Sequence, residues 1–548
     1  MMTLLLCTIF LPILAGAALL IFPIKEEKRN VICTYTGIIL ALDLVLIALT
    51  VLLVPEEHVR VLYLNDTLVL DFALDSLGRL FAVVMNLVWC LGGFFAFEYM
   101  KHEKHNKRYF GFYLMVLGIL MALCSAGNLV TYYTFYEFMT VGSFALVLHN
   151  QSREAIMAGL KYLFYSFAGA YMVLFGLYFV HQYAVDPAMT FMQGGILDTL
   201  SAASAGALQM AGTSAGGGVL TVAMLLMILG FSVKAGMFPM HGWLPTAHPV
   251  APAPASAVLS AIIVKSGVLG IIRVIYFIFG EQLFAGSYVQ TVMLILSLTT
   301  VFIGSMLAFK EKVLKKRLAY STVSQVSYIL FGLFVVNGVA FQGSMLHVAA
   351  HAMIKSALFL VAGTIIYQTG CTRVSQLRGI GRKMPVLMWC YTIVSLGLIG
   401  IPPFGGFTSK WYLCIGALQS QLSVFAWLGP VILLVSALLT AGYLLPITIN
   451  AFLPGKDFES EALAYAQKIA KVGDVAEAAA ATAHEEVAVA VDGAAETTEA
   501  CDADGEEMYH AYLTCKEPRL LMLVPVLILT TMSVVVGVFP QVLTWFGV

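Results

Sequence analysis

Apolar runs about 20 residues long recur from the first residues of this chain to the last. Coiled as a helix, such a run advances about 1.5 Å per residue and matches the hydrocarbon thickness of a bilayer. Backbone amides find no water in lipid, so only helices or closed barrels span it. Continuous apolar runs, unlike the alternating pattern of a barrel strand, select helices and exclude a β-barrel. Composition agrees: 60% of the residues are hydrophobic and 11% charged, where soluble chains carry about 25% charged. The sequence predicts an all-α polytopic membrane protein of about fourteen spans. They fall near 3–22, 31–54, 77–99, 109–126, 128–149, 158–184, 218–240, 249–274, 287–309, 318–338, 344–367, 385–417, 424–452 and 518–541. The first is read as a retained span, because neither a basic leader nor a small-residue cleavage site marks a signal peptide.

A net charge of -1 describes no electropositive face, so no nucleic-acid partner is expected. The placement of charge says more than its sum. Lys and Arg crowd the loops near 25–29, 101–108, 153–161, 310–317, 373–383 and 456–519, all of which follow odd-numbered spans. The opposite loops hold only Arg60, Arg79 and Arg273. The positive-inside rule then predicts a multi-pass protein of the inner, cytoplasmic membrane with both termini on the non-cytoplasmic side. Nine cysteines are scattered singly without CxxC pairs, so no metal or cofactor bound by this chain is expected. No glycine fingerprint for nucleotides is present either.

Two loops stand apart. Residues 185–217 form a long Gly, Ala, Ser and Met loop free of Lys and Arg, and 453–515 form an Ala/Glu-rich cytoplasmic insert with fourteen acids against three lysines. The insert reads as a flexible tether, with an amphipathic helix at its start.

Four basic residues remain, Lys234, Lys265, Lys355 and Lys410, each inside a span. A charge at mid-membrane costs about 2.5 to 3.5 kcal/mol even on insertion scales, so four together cost on the order of 10 to 14 kcal/mol. One lysine could snorkel to an interface; four in different spans, accompanied by embedded acids and histidines, point to an ion pathway. Glu137, mid-span among aromatics, needs a cation nearby to stay charged. Lys234 stands before Pro239 and Pro245, and Lys410 follows Pro402, Pro403, Gly405 and Gly406. Prolines at membrane depth break a helix and turn freed carbonyls into a cavity. Two interrupted, lysine-bearing spans separated by five others point to a duplicated half with paired ion sites.

His347, His351 and Lys355 follow at i, i+4 and i+8 and share one helical face, spaced for passing a proton. Lys265 bridges toward this stripe. Gln325 offers a polar spot suited equally to structure or to holding water. Asp43 is a mid-span acid without a sequence partner. His241 and His248 flank a turn near the cytoplasmic surface, where a gate, a proton inlet or ordinary interfacial histidines all fit.

The segments "FSVKAGMFPMHGWLPTAHPVAPAPASAVLSAIIVKSGVLGIIR", "KKRLAYSTVSQVSYIL", "HVAAHAMIKSALFLVAGTI" and "GIPPFGGFTSKW" resemble the antiporter-like membrane subunit family. That family holds the ion-pumping subunits of respiratory complex I, of membrane-bound hydrogenases and of Mrp-type cation/proton antiporters. The resemblance runs from span 3 to span 14 in motif order. It implies two inverted five-helix repeats, 109–274 and 287–452, with helices 7 and 12 broken. Spans 1–3 (1–108) flank them, and the insert and span 14 (518–548) follow. It places the family's Glu and Lys pair on Glu137 and Lys234, its central lysine on Lys265, its span 11 residues on His347, His351 and Lys355, and its final lysine on Lys410. Where many members carry His in span 10, this chain has Gln325. The implied function is proton translocation within a redox-driven complex, alongside other membrane subunits and with no redox centre of its own. The alternative is a subunit of an Mrp-type Na+/H+ antiporter. Sodium prefers oxygen ligands, and the axis read here is mostly nitrogen, which favours protons.

Overall fold

Apolar runs close into helices, and polar residues at their starts supply the first hydrogen bonds. Asp75, Asn128, Ser152, Ser287 and Asn337 each accept a backbone N–H of the turn that follows, satisfying amides a helix start leaves unpaired. The structure, a computed structural model, describes residues 2–63, 65–204, 218–467 and 503–546. Residues 205–217 of the long loop and the acidic stretch 468–502 lie outside the described residues.

The helices run in order α1 (Met2–Ile21), α2 (Arg29–Leu53), α3 (Ser76–Tyr99), α4 (Asn106–Cys124), α5 (Leu129–Val147), α6 (Arg153–Tyr183) and α7 (Val219–Ala235). After the short α8 (Leu244–Val250) come α9 (Ala253–Phe279), α10 (Tyr288–Lys310), α11 (Leu314–Val335) and α12 (Gly338–Thr369). The chain continues through α13 (Pro385–Ile399), α14 (Gly405–Gln419), α15 (Val424–Phe452), α16 (Ala503–Thr514) and α17 (Leu520–Val538). Among the described residues, eleven helices are long and apolar enough to cross a membrane, and α7 and α13 are shorter apolar helices.

The reading of the chain as purely helical needs one correction. Between α2 and α3 an antiparallel hairpin pairs β1 (Val59–Tyr63) with β2 (Val69–Phe72), with Arg60 opposite Asp71. Strands this short leave too few residues for an alternating pattern to register.

Both interrupted helices break, though not always where proline suggested. α7 ends at Gly236, whose φ of 78° is left-handed and costs glycine no strain. Pro239 lies in the turn beyond, while Pro245 sits in the first turn of α8, where its missing N–H is no loss. Pro245 therefore starts a helix rather than breaking one. Pro402 and Pro403 do fill the gap between α13 and α14, after Gly400 with φ 93°.

Close helix approach sets where these breaks stand. A Cβ on Gly169 of α6 would lie 2.6 Å from the carbonyl oxygen of Gly230 on α7. Only glycine permits this contact, as small residues do wherever membrane helices touch backbone to backbone. The same approach brings Tyr162 and Ser166, a turn or two earlier on α6, up to the end of α7. Arg273, assigned above to a loop, lies inside α9 and is 2% exposed. It makes a bidentate pair with Asp75, at 2.5 and 2.8 Å. The two ends of the insert also differ from a free tether: Phe458 is fully buried against Tyr509 and Tyr512 of α16.

Candidate functional site

Lys234 occupies the last turn of α7 with no exposed surface. Its Nζ donates to Thr140 Oγ1 on α5 (2.9 Å), Tyr162 OH (2.8 Å) and Ser166 Oγ (2.9 Å) on α6. The ammonium also lies 4.4 Å from the Tyr162 ring centroid, where the π face attracts a cation. Tyr162 OH in turn meets Ser143 Oγ at 2.6 Å. Glu137, one turn before Thr140, is half-buried, and its enclosed Oε1 has no hydrogen-bond partner. The expected cation beside Glu137 is thus nearby but not in contact: hydroxyls, not the carboxylate, hold Lys234.

At the centre, Lys265 of α9 brings Nζ within 2.5 Å of His351 Nδ1 on α12. A Cβ on Gly267 would stand 3.2 Å from the Lys234 Cβ, so α9 presses directly on the first lysine's helix. The His351 and His347 rings lie 5.9 Å apart, as their i, i+4 spacing dictates. His347 Nδ1 reaches Ser409 Oγ at 2.8 Å, and Ser409 is the neighbour of Lys410 on α14. Tyr328 of α11 stacks on His347 at 5.6 Å and supports the Lys410 ammonium at 4.9 Å.

Lys410 Nζ donates to the carbonyls of Leu398 (2.7 Å) and Ile399 (3.0 Å), the last two residues of α13. Helix ends of this polarity carry partial negative charge and favour a cation. Lys355, one turn past His351, donates to Leu318 O at 3.0 Å and to Ser321 Oγ of α11.

The residues named from sequence therefore fall into two groups. Lys265, His351, His347 and Lys410 are brought together, with Lys355 one turn away; Glu137 and Lys234 form the second group on the far side of α9. Between and around them stand buried polar atoms without partners: both amide atoms of Gln325 and the Nε2 atoms of His347 and His351. Buried groups of this kind are ordinarily satisfied by internal water.

The sequence did not single out Thr140, Ser143, Tyr162, Ser166, Ser409 and Tyr328. For the first four the signal was present as an i, i+3 pair, Thr140 and Ser143, on span 5 and an i, i+4 pair, Tyr162 and Ser166, on span 6. Asp43 finds a partner in Asn86 Nδ2 of α3 at 2.5 Å. His241 lies in the turn after α7, half-buried, whereas His248 has no exposed surface and neither ring nitrogen has a partner. Among the described residues no group of three or more His, Cys, Asp or Glu side chains is placed to hold a metal ion.

Residues 126–440 match the family described as NADH:quinone oxidoreductase/Mrp antiporter, TM. The chain is 34% identical over 357 residues to NADH-quinone oxidoreductase subunit N of Desulforudis audaxviator, covering 65% of this chain and 67% of that one. It is 27% identical over 448 residues to a Na(+)/H(+) antiporter subunit of Alkalihalophilus pseudofirmus, covering 81% and 86%. Its fold is shared with a chain of the Mrp complex from Dietzia sp., at a TM-score of 0.76 and 22% identity over 100% of this chain and 96% of that one. A chain of respiratory complex I from Thermus thermophilus gives 0.73 and 20%, over 99% and 97%.

Proposed function

The chain belongs to the NADH:quinone oxidoreductase/Mrp antiporter family of membrane proteins, and on that premise we propose that it is the proton-translocating membrane subunit of a multisubunit redox-driven pump. One observation carries this reading: buried titratable side chains stand in succession, Lys265 Nζ 2.5 Å from His351 Nδ1, the His351 and His347 rings 5.9 Å apart, and His347 bonded at 2.8 Å to Ser409, the neighbour of Lys410. Membrane-embedded ionisable groups are costly and mark ion pathways. Protons pass from Lys234 through Lys265, His351 and His347 to Lys410, with Lys355 as a branch and water bridging the remaining gaps.

The trigger is a change of field or hydration imposed by a partner complex. Glu137 stabilises the charged form of Lys234 through space, and the hydroxyls of Thr140, Tyr162 and Ser166 serve it in either form, because a hydroxyl both donates and accepts. When the field of Glu137 is withdrawn, Lys234 passes its proton toward Lys265. Electron transfer, and any metal or cofactor for it, belongs to partner chains.

The architecture proposed with this function has fourteen spans. The eleven long helices are joined by α5, which its tyrosines and Glu137 make less apolar, and by two interrupted spans, α7 with α8 and α13 with α14. Residues 109–274 and 287–452 are taken as two inverted repeats. Both termini lie on the non-cytoplasmic side of the inner membrane, as the distribution of Lys and Arg requires.

In vesicles carrying the assembled complex, Lys234→Ala and Glu137→Ala are each expected to abolish pumping while assembly persists. Pumping at the wild-type rate in either variant rejects the pathway. A second reading, a subunit that exchanges Na+ for protons without redox chemistry, is supported by the longer stretch shared with the Na(+)/H(+) antiporter relative. A sodium gradient that drives proton flux with no electron donor present selects this reading over the first.

A further inference from the structure

On the face where the basic loops emerge, a cavity of about 400 Å³ opens between the ends of four helices. Its wall includes Glu103 from the turn after α3, Lys315 from the start of α11, the 249–252 link between α8 and α9, and Thr372 beyond α12. The floor is polar. Lys315 Nζ donates to Ala251 O at 2.6 Å, which holds the ammonium beneath the opening.

Next in the chain to Pro249 of the cavity wall is His248, fully buried, with both ring nitrogens lacking partners. A neutral imidazole carries one N–H and one lone pair, so a dry burial of both is unfavourable and internal water from the adjacent cavity is the natural partner. The His248 ring lies 4.8 Å from the ring of Phe359 on α12. Phe359 is four residues after Lys355, so the residue His248 packs on lies about one helical turn from Lys355 on the same face of α12. On α11 the step is equally short: Leu318, whose carbonyl accepts from Lys355, is three residues after Lys315. The charges acting on His248 are those of Lys315 and Lys355. Burial pushes the Glu103 carboxyl above its ordinary range, and Lys315 and His102 oppose that shift.

We propose that this cavity is the proton uptake vestibule of the chain, with Glu103 and Lys315 at its mouth, His248 the first carrier inside and Lys355 the group it feeds. The proposal rests on the proton-pathway reading above and adds where that pathway is loaded. A proton taken from cavity water by one ring nitrogen of His248 leaves from the other toward Lys355, so that no net charge stays on the ring.

The test uses the assembled complex in inside-out vesicles, with the basic face outward. Thr372→Cys places a thiol on the cavity wall, and a membrane-impermeant, positively charged thiosulfonate is added outside. Pumping is expected to fall severalfold against the same vesicles before reagent; wild-type vesicles, which carry the neighbouring Cys371, serve as the reagent control. His248→Ala is expected to lower pumping on the order of a hundredfold, with partial rescue by added imidazole, which a purely structural role would not give. His248→Gln fills the site without carrying a proton and is expected to match His248→Ala. Unchanged pumping by fully modified Thr372→Cys, or wild-type pumping by His248→Ala, overturns the proposal. Lys234→Ala measured alongside separates the two failures: if it abolishes pumping while the vestibule variants do not, the pathway stands and its loading point lies elsewhere. If Lys234→Ala also pumps normally, the pathway reading has failed and the vestibule falls with it.

Discussion

Each interrupted helix carries a buried lysine, and the two hold it by opposite means. Lys234 belongs to the half-helix before its break and meets three hydroxyls. Lys410 belongs to the half-helix after its break and reaches back to two carbonyls that end the other half. A hydroxyl gives or takes a hydrogen bond, whereas a carbonyl only accepts. Lys234 therefore keeps partners as an ammonium and as an amine. As an amine Lys410 could still donate to both carbonyls, but neither offers a donor for the lone pair it would gain. The two sites thus differ in whether a hydrogen-bond donor stands beside the lysine.

The largest expected difference comes from making both lysines permanently charged. Arginine keeps its proton at any accessible pH, so Lys234→Arg is expected to slow pumping on the order of a hundredfold, the scale of a lost proton-transfer group. Lys410→Arg keeps the carbonyl contacts and is expected to slow it less. Equal losses in vesicle assays would erase the distinction drawn between the halves. Next, Tyr162→Phe and Thr140→Val each remove a hydrogen bond to a charged group, a loss of about 1.5 to 3 kcal/mol. Both are expected to slow transfer from Lys234 by about tenfold or more without altering assembly, and a rate equal to wild type would show that the hydroxyl cage is idle.

Packing gives a smaller contrast. Gly169→Ala forces a Cβ to within 2.6 Å of the Gly230 carbonyl and is expected to destabilise by about 1 to 3 kcal/mol. In the second half a Cβ on Gly406 overlaps the Gly397 carbonyl still more closely, so Gly406→Ala should lower the melting temperature of the purified complex further than Gly169→Ala does. The reverse order would mean that the second break adapts more readily than the first.

The smallest effect lies outside both lysine sites and serves as a control. His58 Nδ1 sits 2.7 Å from Asp71 Oδ2 at the hairpin, and that hydrogen bond raises the His58 pKa. A raised folded-state value means that the stabilisation is complete below the unfolded value, near about 6.5, and is lost as pH rises through the folded one. Because His58 is 43% exposed, the contribution is screened to below about 1 kcal/mol. With the intrinsic pH dependence of amide exchange divided out, the protection of β1 and β2 should fall slightly from about pH 6 to 8, and that around Lys234 should not follow it. A shift at Lys234 alone would reverse that assignment.

Sequence alone revealed the features that follow from local chemistry. Apolar runs marked a mostly helical membrane protein, Pro402 and Pro403 marked a break, and the i, i+4 spacing of His347, His351 and Lys355 put them on one face. What stayed hidden depended on distant partners. Arg273 looked like a loop cation because its carboxylate, Asp75, lies 198 positions away. The hydroxyl cage around Lys234 was invisible because Thr and Ser in a helix ordinarily bond their own preceding carbonyls, as Thr134 does with Val130. The end of α7 escaped because a left-handed glycine, Gly236, stops the helix before Pro239 is reached. Phe458 and Tyr512 meet across an insert whose composition alone suggested a tether. His248 looked interfacial from its position near a turn, yet α9, α11 and α12 close over it.

The central claim is that the buried lysines and histidines form one water-assisted line across the middle of the membrane. A map of the assembled complex that resolves ordered water tests it most directly. The account predicts water molecules within about 3.5 Å of one another and of the side chains, continuous from Lys234 past Lys265, His351 and His347 to Lys410. Dry apolar packing between Lys234 and Lys265, or lysines turned out to the lipid headgroups, would contradict it.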